Sequence, residues 1–106
     1  MWTDKVRYIN IGITKDAIRR MKERGSDPTA IISYLQKSKS LVLSKNRHGY
    51  EVVVPLKGKL VGDFDGDTLV IKSFLWSFRE NGKFESVVRA SSVTPHKIWS
   101  FHNSMD

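Results

Sequence analysis

The chain contains no cysteine. That single absence removes disulfide staples, thiolate-held zinc, iron–sulfur clusters and a cysteine nucleophile. No apolar run approaches the roughly 20 residues of a membrane-spanning helix. The opening Met1-Trp2-Thr3-Asp4-Lys5 lacks the apolar centre of a secretory signal. The expected setting is therefore cytoplasmic, with no membrane partner. Repeats and low-complexity stretches are lacking as well.

Acidic residues are also few, at 11 against 18 Lys and Arg, for a formal net charge of +7. The imbalance is local. Residues 1–59 carry 13 of the basic and 5 of the acidic residues, a net of +8, whereas residues 60–106 are at −1. A localised positive field of this kind suits phosphate. The 106 residues, 40% of them hydrophobic, make one soluble domain, 1–106, that buries about two-thirds of its unfolded surface.

Local pattern divides the chain into helices and then strands. Lys5–Ile13 reads as a short strand or an extended arm. Thr14 is an N-cap, Asp16 lies in the first turn where it favours the helix dipole, and Gly25 ends a helix over 15–24. Ala17, Ile18 and Met21 form its apolar face. Asp27-Pro28 opens a second helix with Ala30, Ile31, Tyr34 and Leu35 on its apolar face, and it fades at Lys37–Ser40.

Strands follow at 41–43, 50–56, 59–64, 68–76 and 84–89. The turns between them fall at Asn46–Gly49, Lys57-Gly58, Asp65-Gly66 and Asn81-Gly82. Thr94-Pro95 opens a short helix or ordered tail bearing Ile98, Trp99 and Phe101. The expected fold is α+β: two N-terminal helices packed on a four- to five-stranded antiparallel sheet.

Several segments invite chemistry. Asp16, Arg20 and Arg24 line one flank of the first helix. They read either as a solvated face or as a phosphate-facing one. Lys72 and Ser73 interrupt an otherwise apolar strand. Lys72 either snorkels to water or sits in a cleft where its ammonium meets a phosphate. Lys57 and Lys59 flank Gly58 without the rest of a phosphate-binding loop, and form a basic hairpin tip.

Asp63-Phe64-Asp65-Gly66-Asp67 misses the calcium-loop pattern, since Gly is fourth and Phe74 stands where Glu is required. His48, His96 and His102 lack metal-ligand spacing and read as surface histidines or as one general acid or base. No metal and no cofactor is expected. Phe74, Trp76 and Phe78 alternate along one strand face, as a core face or a base-stacking platform.

The stretch Ile13-Thr14-Lys15-Asp16-Ala17-Ile18-Arg19-Arg20-Met21-Lys22-Glu23-Arg24-Gly25 resembles a helix of small toxin-like domains with a His-Ala-x-x-Arg-Met-x-x-Arg-Gly pattern. These domains are similar to the RelE, MqsR and colicin-type ribonucleases. Arg20, Met21, Arg24 and Gly25 match the pattern, and the histidine falls on Asp16. The resemblance, over residues 6–76, implies a ribonuclease-like domain that cleaves RNA without metal by attack of the 2′-hydroxyl on the adjacent phosphorus.

The departure at Asp16 implies an inactive variant or other groups in the histidine's place. Asp16, Lys72 and Ser73 are then the candidate catalytic residues. Lys15, Arg19, Arg20, Arg24, Lys57 and Lys59 are the candidate RNA contacts, and an acidic antitoxin or inhibitor protein is the implied protein partner. Two alternatives remain open: a non-catalytic basic nucleic-acid-binding or regulatory domain, and a protein inhibitor docking an acidic partner.

Overall fold

The computed structural model describes residues 6–76 and 82–95. Its elements in chain order are β1 (Arg7–Ile13), α1 (Lys15–Glu23), α2 (Pro28–Lys37), β2 (Leu41–Asn46), β3 (Gly49–Val54), β4 (Gly58–Asp65), β5 (Thr68–Leu75) and β6 (Lys83–Pro95). The six strands close into a barrel in the order β1-β5-β4-β3-β2-β6. Strands β2 to β5 form successive antiparallel hairpins. β1 lies parallel to both β5 and β6, and closes the barrel between them.

The expected α+β layering is thus corrected to a mostly β closed barrel. A strand precedes the helices, and the sheet has no free edge for them to cover. The Asn81-Gly82 hairpin is corrected too. β5 and β6 are not neighbours but flank β1 in the same direction, and a two-residue turn joins only antiparallel neighbours. Thr94 and Pro95 are the last residues of β6, and the helix or tail expected after them lies outside the described residues. Phe78, His96, Ile98, Trp99, Phe101 and His102 lie outside the described residues.

The helices form where the sequence expects them. The Thr14 hydroxyl accepts from the Ala17 amide at 3.2 Å and donates to the Ile71 carbonyl at 2.9 Å. One side chain therefore caps α1 and pins its start to β5. Thr14→Ala removes both bonds and is expected to cost about 1–2 kcal/mol, measured by urea unfolding. Asp27 caps α2 by accepting from the Thr29 amide, with Pro28 in the first turn. α1 packs on β5 and α2 on β6. Ala17, Met21, Ile31 and Leu35 join the barrel residues Ile9, Ile11, Leu43, Val52, Leu60, Leu69 and Val88 in one core.

Bulges decide which residues face inward. On β5, Ser73 pairs with Val61 and Ile71 with Gly62, so Lys72 is the extra residue of a bulge. The alternation flips there. Leu69 and Ile71 belong to the core before it and Phe74 after it, a change of parity that a strict period of two cannot produce. Gly62 sits at this crossing. A Cβ on it would stand 1.9 Å from the Val70 carbonyl oxygen, so only glycine lets the two backbones meet.

The β4–β5 turn also differs in detail. Asp65 pairs with Thr68, leaving Gly66 and Asp67 as the loop. Of these two, only Gly66 has a positive φ, of 61°. That is the pattern of a II′ turn rather than the I′ turn Asp-Gly favours.

Candidate functional site

The second hairpin builds the site. β2 ends at Asn46, which pairs with Gly49 across the two-residue turn Arg47-His48. The Asn46 side chain folds over this turn, and its Oδ1 accepts from the His48 backbone amide at 2.7 Å. Its Nδ2 is then turned toward β3, where it donates to Glu51 Oε2. One amide therefore ties the His48 turn to a carboxylate.

Glu51 alternates with the core residues Val52 and Val54 and so lies on the outer face of the barrel. It is nevertheless only 5% exposed. On β4, Lys59 is in register with Val53 and points to the same face. Its ammonium reaches Glu51 Oε2 at 3.4 Å, with 2% of the side chain exposed.

Both donors meet the same carboxylate oxygen. Glu51 Oε1 is buried without a hydrogen-bond partner. A pocket of ≈ 580 Å³ stands over this pair, lined by Asn46, Arg47, His48, Glu51, Lys59, Val61 and Leu75. Its size is that of a small-molecule site.

Taking two charges out of water costs several kcal/mol per ion before any mutual attraction. A buried carboxylate oxygen left unsatisfied adds to that cost. A fold that needed only stability would fill these positions with apolar residues. The arrangement holds a carboxylate by one oxygen and leaves the other buried without a partner, in the wall of a pocket that Arg47 and His48 also line.

The residues marked by the sequence are distributed as follows. Lys59 is in the site, but as a buried ion-pair partner rather than a surface contact. Lys57 is half-buried in the turn before β4, and its carbonyl accepts from the Ser26 hydroxyl at 3.3 Å. Lys15, Arg19, Arg20 and Arg24 are exposed on α1 or at its end. Asp16 is paired with Arg19 at 3.1 Å on that helix.

Lys72, carried outward by the bulge, pairs in the open with Asp63 at 3.6 Å. Ser73 is half-buried opposite Val61. Among the described residues no hydrogen bond or ion pair joins Asp16, Lys72 and Ser73 to one another.

Glu51 and Asn46 were not marked by the sequence. The signal for Glu51 was a lone carboxylate inside Tyr50-Glu51-Val52-Val53-Val54, the same kind of interruption that drew notice to Lys72. No group of three or more His, Asp or Glu suited to a metal ion occurs among the described residues. None of the helices there is long and apolar enough to cross a membrane. No family model, curated protein or solved structure matches the chain.

Proposed function

We propose that the protein is a metal-independent endoribonuclease acting at the Glu51 pocket. The observation that carries this reading is the carboxylate itself: Glu51, buried and held through Oε2 by Lys59 and Asn46, with Oε1 unpartnered, in the lining of a pocket shared with His48 and Arg47. Cleavage of RNA needs a base for the 2′-hydroxyl and an acid for the leaving oxygen.

Glu51 Oε1 takes the proton of the 2′-hydroxyl as that oxygen bonds to phosphorus. The bond from phosphorus to the 5′-oxygen breaks, and the protonated His48 ring supplies the proton that this oxygen needs. The products are a 2′,3′-cyclic phosphate and a free 5′-hydroxyl. Arg47 faces the charge that grows on the phosphoryl oxygens, and the buried Lys59 ammonium holds Glu51 through Oε2. The basic first half of the chain, which contains all of Arg47, His48, Glu51 and Lys59, supplies the field that draws RNA in.

Labelled RNA incubated with the protein in EDTA is expected to yield cyclic-phosphate ends, and Glu51→Gln is expected to stop this. Intact RNA after prolonged incubation would refute the enzyme. A second reading, a non-catalytic RNA-binding domain, is favoured by Asp16, which stands in place of the motif histidine and is engaged by Arg19. It predicts salt-sensitive binding with no cut products.

A further inference from the structure

We propose that the end of the barrel where β1 begins binds the phosphodiester backbone of single-stranded RNA through Arg7, Lys45 and Lys83; the site rests on the RNA-acting reading for the identity of its ligand and on none of the cleavage chemistry. The strand directions bring the starts of β1, β3, β5 and β6 and the ends of β2 and β4 to this end. Two aromatic side chains close it from within. Tyr50 shares a face of β3 with the core residues Val52 and Val54, and Phe64 is in register with the core residue Leu69. Both pack against the core, and their rings meet edge to face at 4.9 Å.

Each ring carries a cation. The guanidinium carbon of Arg7 lies 4.8 Å from the Phe64 ring centre, and the Lys45 ammonium 5.4 Å from that of Tyr50. Both distances are those of a cation attracted to the ring quadrupole. A third cation joins them from β6, where Lys83 is in register with Lys45. Residues directly opposite on antiparallel strands share a face and stand about 5 Å apart at Cβ. Arg7, Lys45 and Lys83 are all exposed.

Counter-ions are missing from this arrangement. Among the described residues none of the three cations is paired with a carboxylate. Asp65 follows Phe64 and so falls on the other face of β4, Asp67 lies in the β4–β5 turn, and Glu85 is the extra residue of the β6 bulge. Like charges directly opposite on neighbouring strands destabilise a sheet. Lys45 and Lys83 carry that cost, which an anion lying between them would remove.

A ring holds a cation in place without neutralising it, so the charge stays available to a ligand. Two opposed ammoniums suit the two free oxygens of one phosphate, and a guanidinium takes a neighbouring phosphate by two hydrogen bonds. A phosphodiester strand carries a charge at every nucleotide whatever its sequence, and so meets all three cations at once. A peptide does so only where acidic side chains fall in step. Tyr50 and Phe64 are half-buried beneath their cations, which leaves no open ring for a base. The site therefore positions the backbone and reads no sequence.

The test is fluorescence anisotropy with a labelled 2′-O-methyl oligouridine, titrated at several salt concentrations. Lys45→Gln combined with Lys83→Gln is expected to weaken binding about tenfold at low salt, and to flatten the slope of log affinity against log salt by about 1.4. Arg7→Gln alone is expected to flatten it by about 0.7. The control, Lys37→Gln with Lys39→Gln, removes the same charge before the start of β2, at the opposite end of the barrel, and is expected to leave the slope unchanged. Glutamine keeps most of each side-chain stem, and a thermal melt by circular dichroism checks that the fold is kept.

An equal loss of slope in the control marks a diffuse field and overturns the site. So does an unchanged slope in the Arg7 and Lys45–Lys83 variants, or tighter binding of an oligoglutamate peptide or of the same RNA as a duplex. Because 2′-O-methyl oligomers cannot be cut, the outcome is separate from the cleavage assay. A chain that binds in this way yet cuts no RNA keeps the site and loses the nuclease. One that cuts RNA while these substitutions leave binding unchanged does the reverse.

Discussion

Glu51→Ala is expected to destabilise the protein by about 3–5 kcal/mol, because it takes the Glu51 carboxylate away from a Lys59 ammonium of whose side chain only 2% meets solvent. The cost arises less from the lost attraction than from a buried charge that has lost its Glu51 partner. Urea unfolding followed by circular dichroism measures it.

The companion variant isolates the cause. Glu51→Leu combined with Lys59→Met removes both charges, and the pair should recover most of the loss, since apolar side chains of similar volume replace buried ion pairs at little or no cost. If the double variant is as unstable as Glu51→Ala, packing rather than charge explains the defect.

The second large effect is on rate. Glu51→Gln keeps the shape and an oxygen for Asn46, but a neutral amide cannot take the proton of a 2′-hydroxyl. Cleavage should fall by about 10²–10⁴, the usual contribution of a positioned general base. His48→Ala should fall by a similar factor, and the two losses together should be less than multiplicative, because the two proton transfers belong to one displacement at phosphorus. Initial rates on a short RNA, in EDTA, read this directly. Lys72→Ala makes the useful contrast. Its ion pair with Asp63 is exposed on both sides, and its removal should change stability by less than about 1 kcal/mol.

Short-range features of the fold were legible in the sequence. Thr14, Asp27 and Pro28 mark both helix starts, and Ala17, Met21, Ile31 and Leu35 fall on the core as their spacing predicts. The hairpins from β2 to β5 follow from their turns.

What local pattern misses is closure. The partner of Ile11 is Leu69 on one side and Val93 on the other, and no nearby residue announces either. Strand β6 hides for a second reason. Its register slips between Ser86 and Phe84 opposite β2, and between Ala90 and Ser92 opposite β1. Glu85 and Ser91 are therefore extra residues, and the inward set cannot be read by alternation.

The site was half legible for the same kind of reason. His48 stood out as a candidate acid or base and Lys59 as a cation. Their connection runs through Asn46 and Glu51, and depends on three strands lying side by side with Ser44 opposite Glu51 and Glu51 opposite Val61. Phosphate-facing chemistry was sought on α1 and Lys72 because those residues are conspicuous in isolation. Pairing of β2, β3 and β4 gathers the less conspicuous ones.

The parallel placement of β1 between β5 and β6 sets an order of events during synthesis. The first strand to leave the ribosome is the one whose hydrogen-bonding partners emerge last, some 60 to 80 residues later. Until residues 68–95 are available, Ile9, Ile11 and Ile13 have no barrel to enter, while β2 to β4 are already free to pair as local hairpins. Contacts of such long separation are slow to form. The hairpins are therefore expected to gather first, with β1 inserted once β5 and β6 are both available. A nascent chain stalled before β6 would expose an isoleucine-rich segment to aggregation.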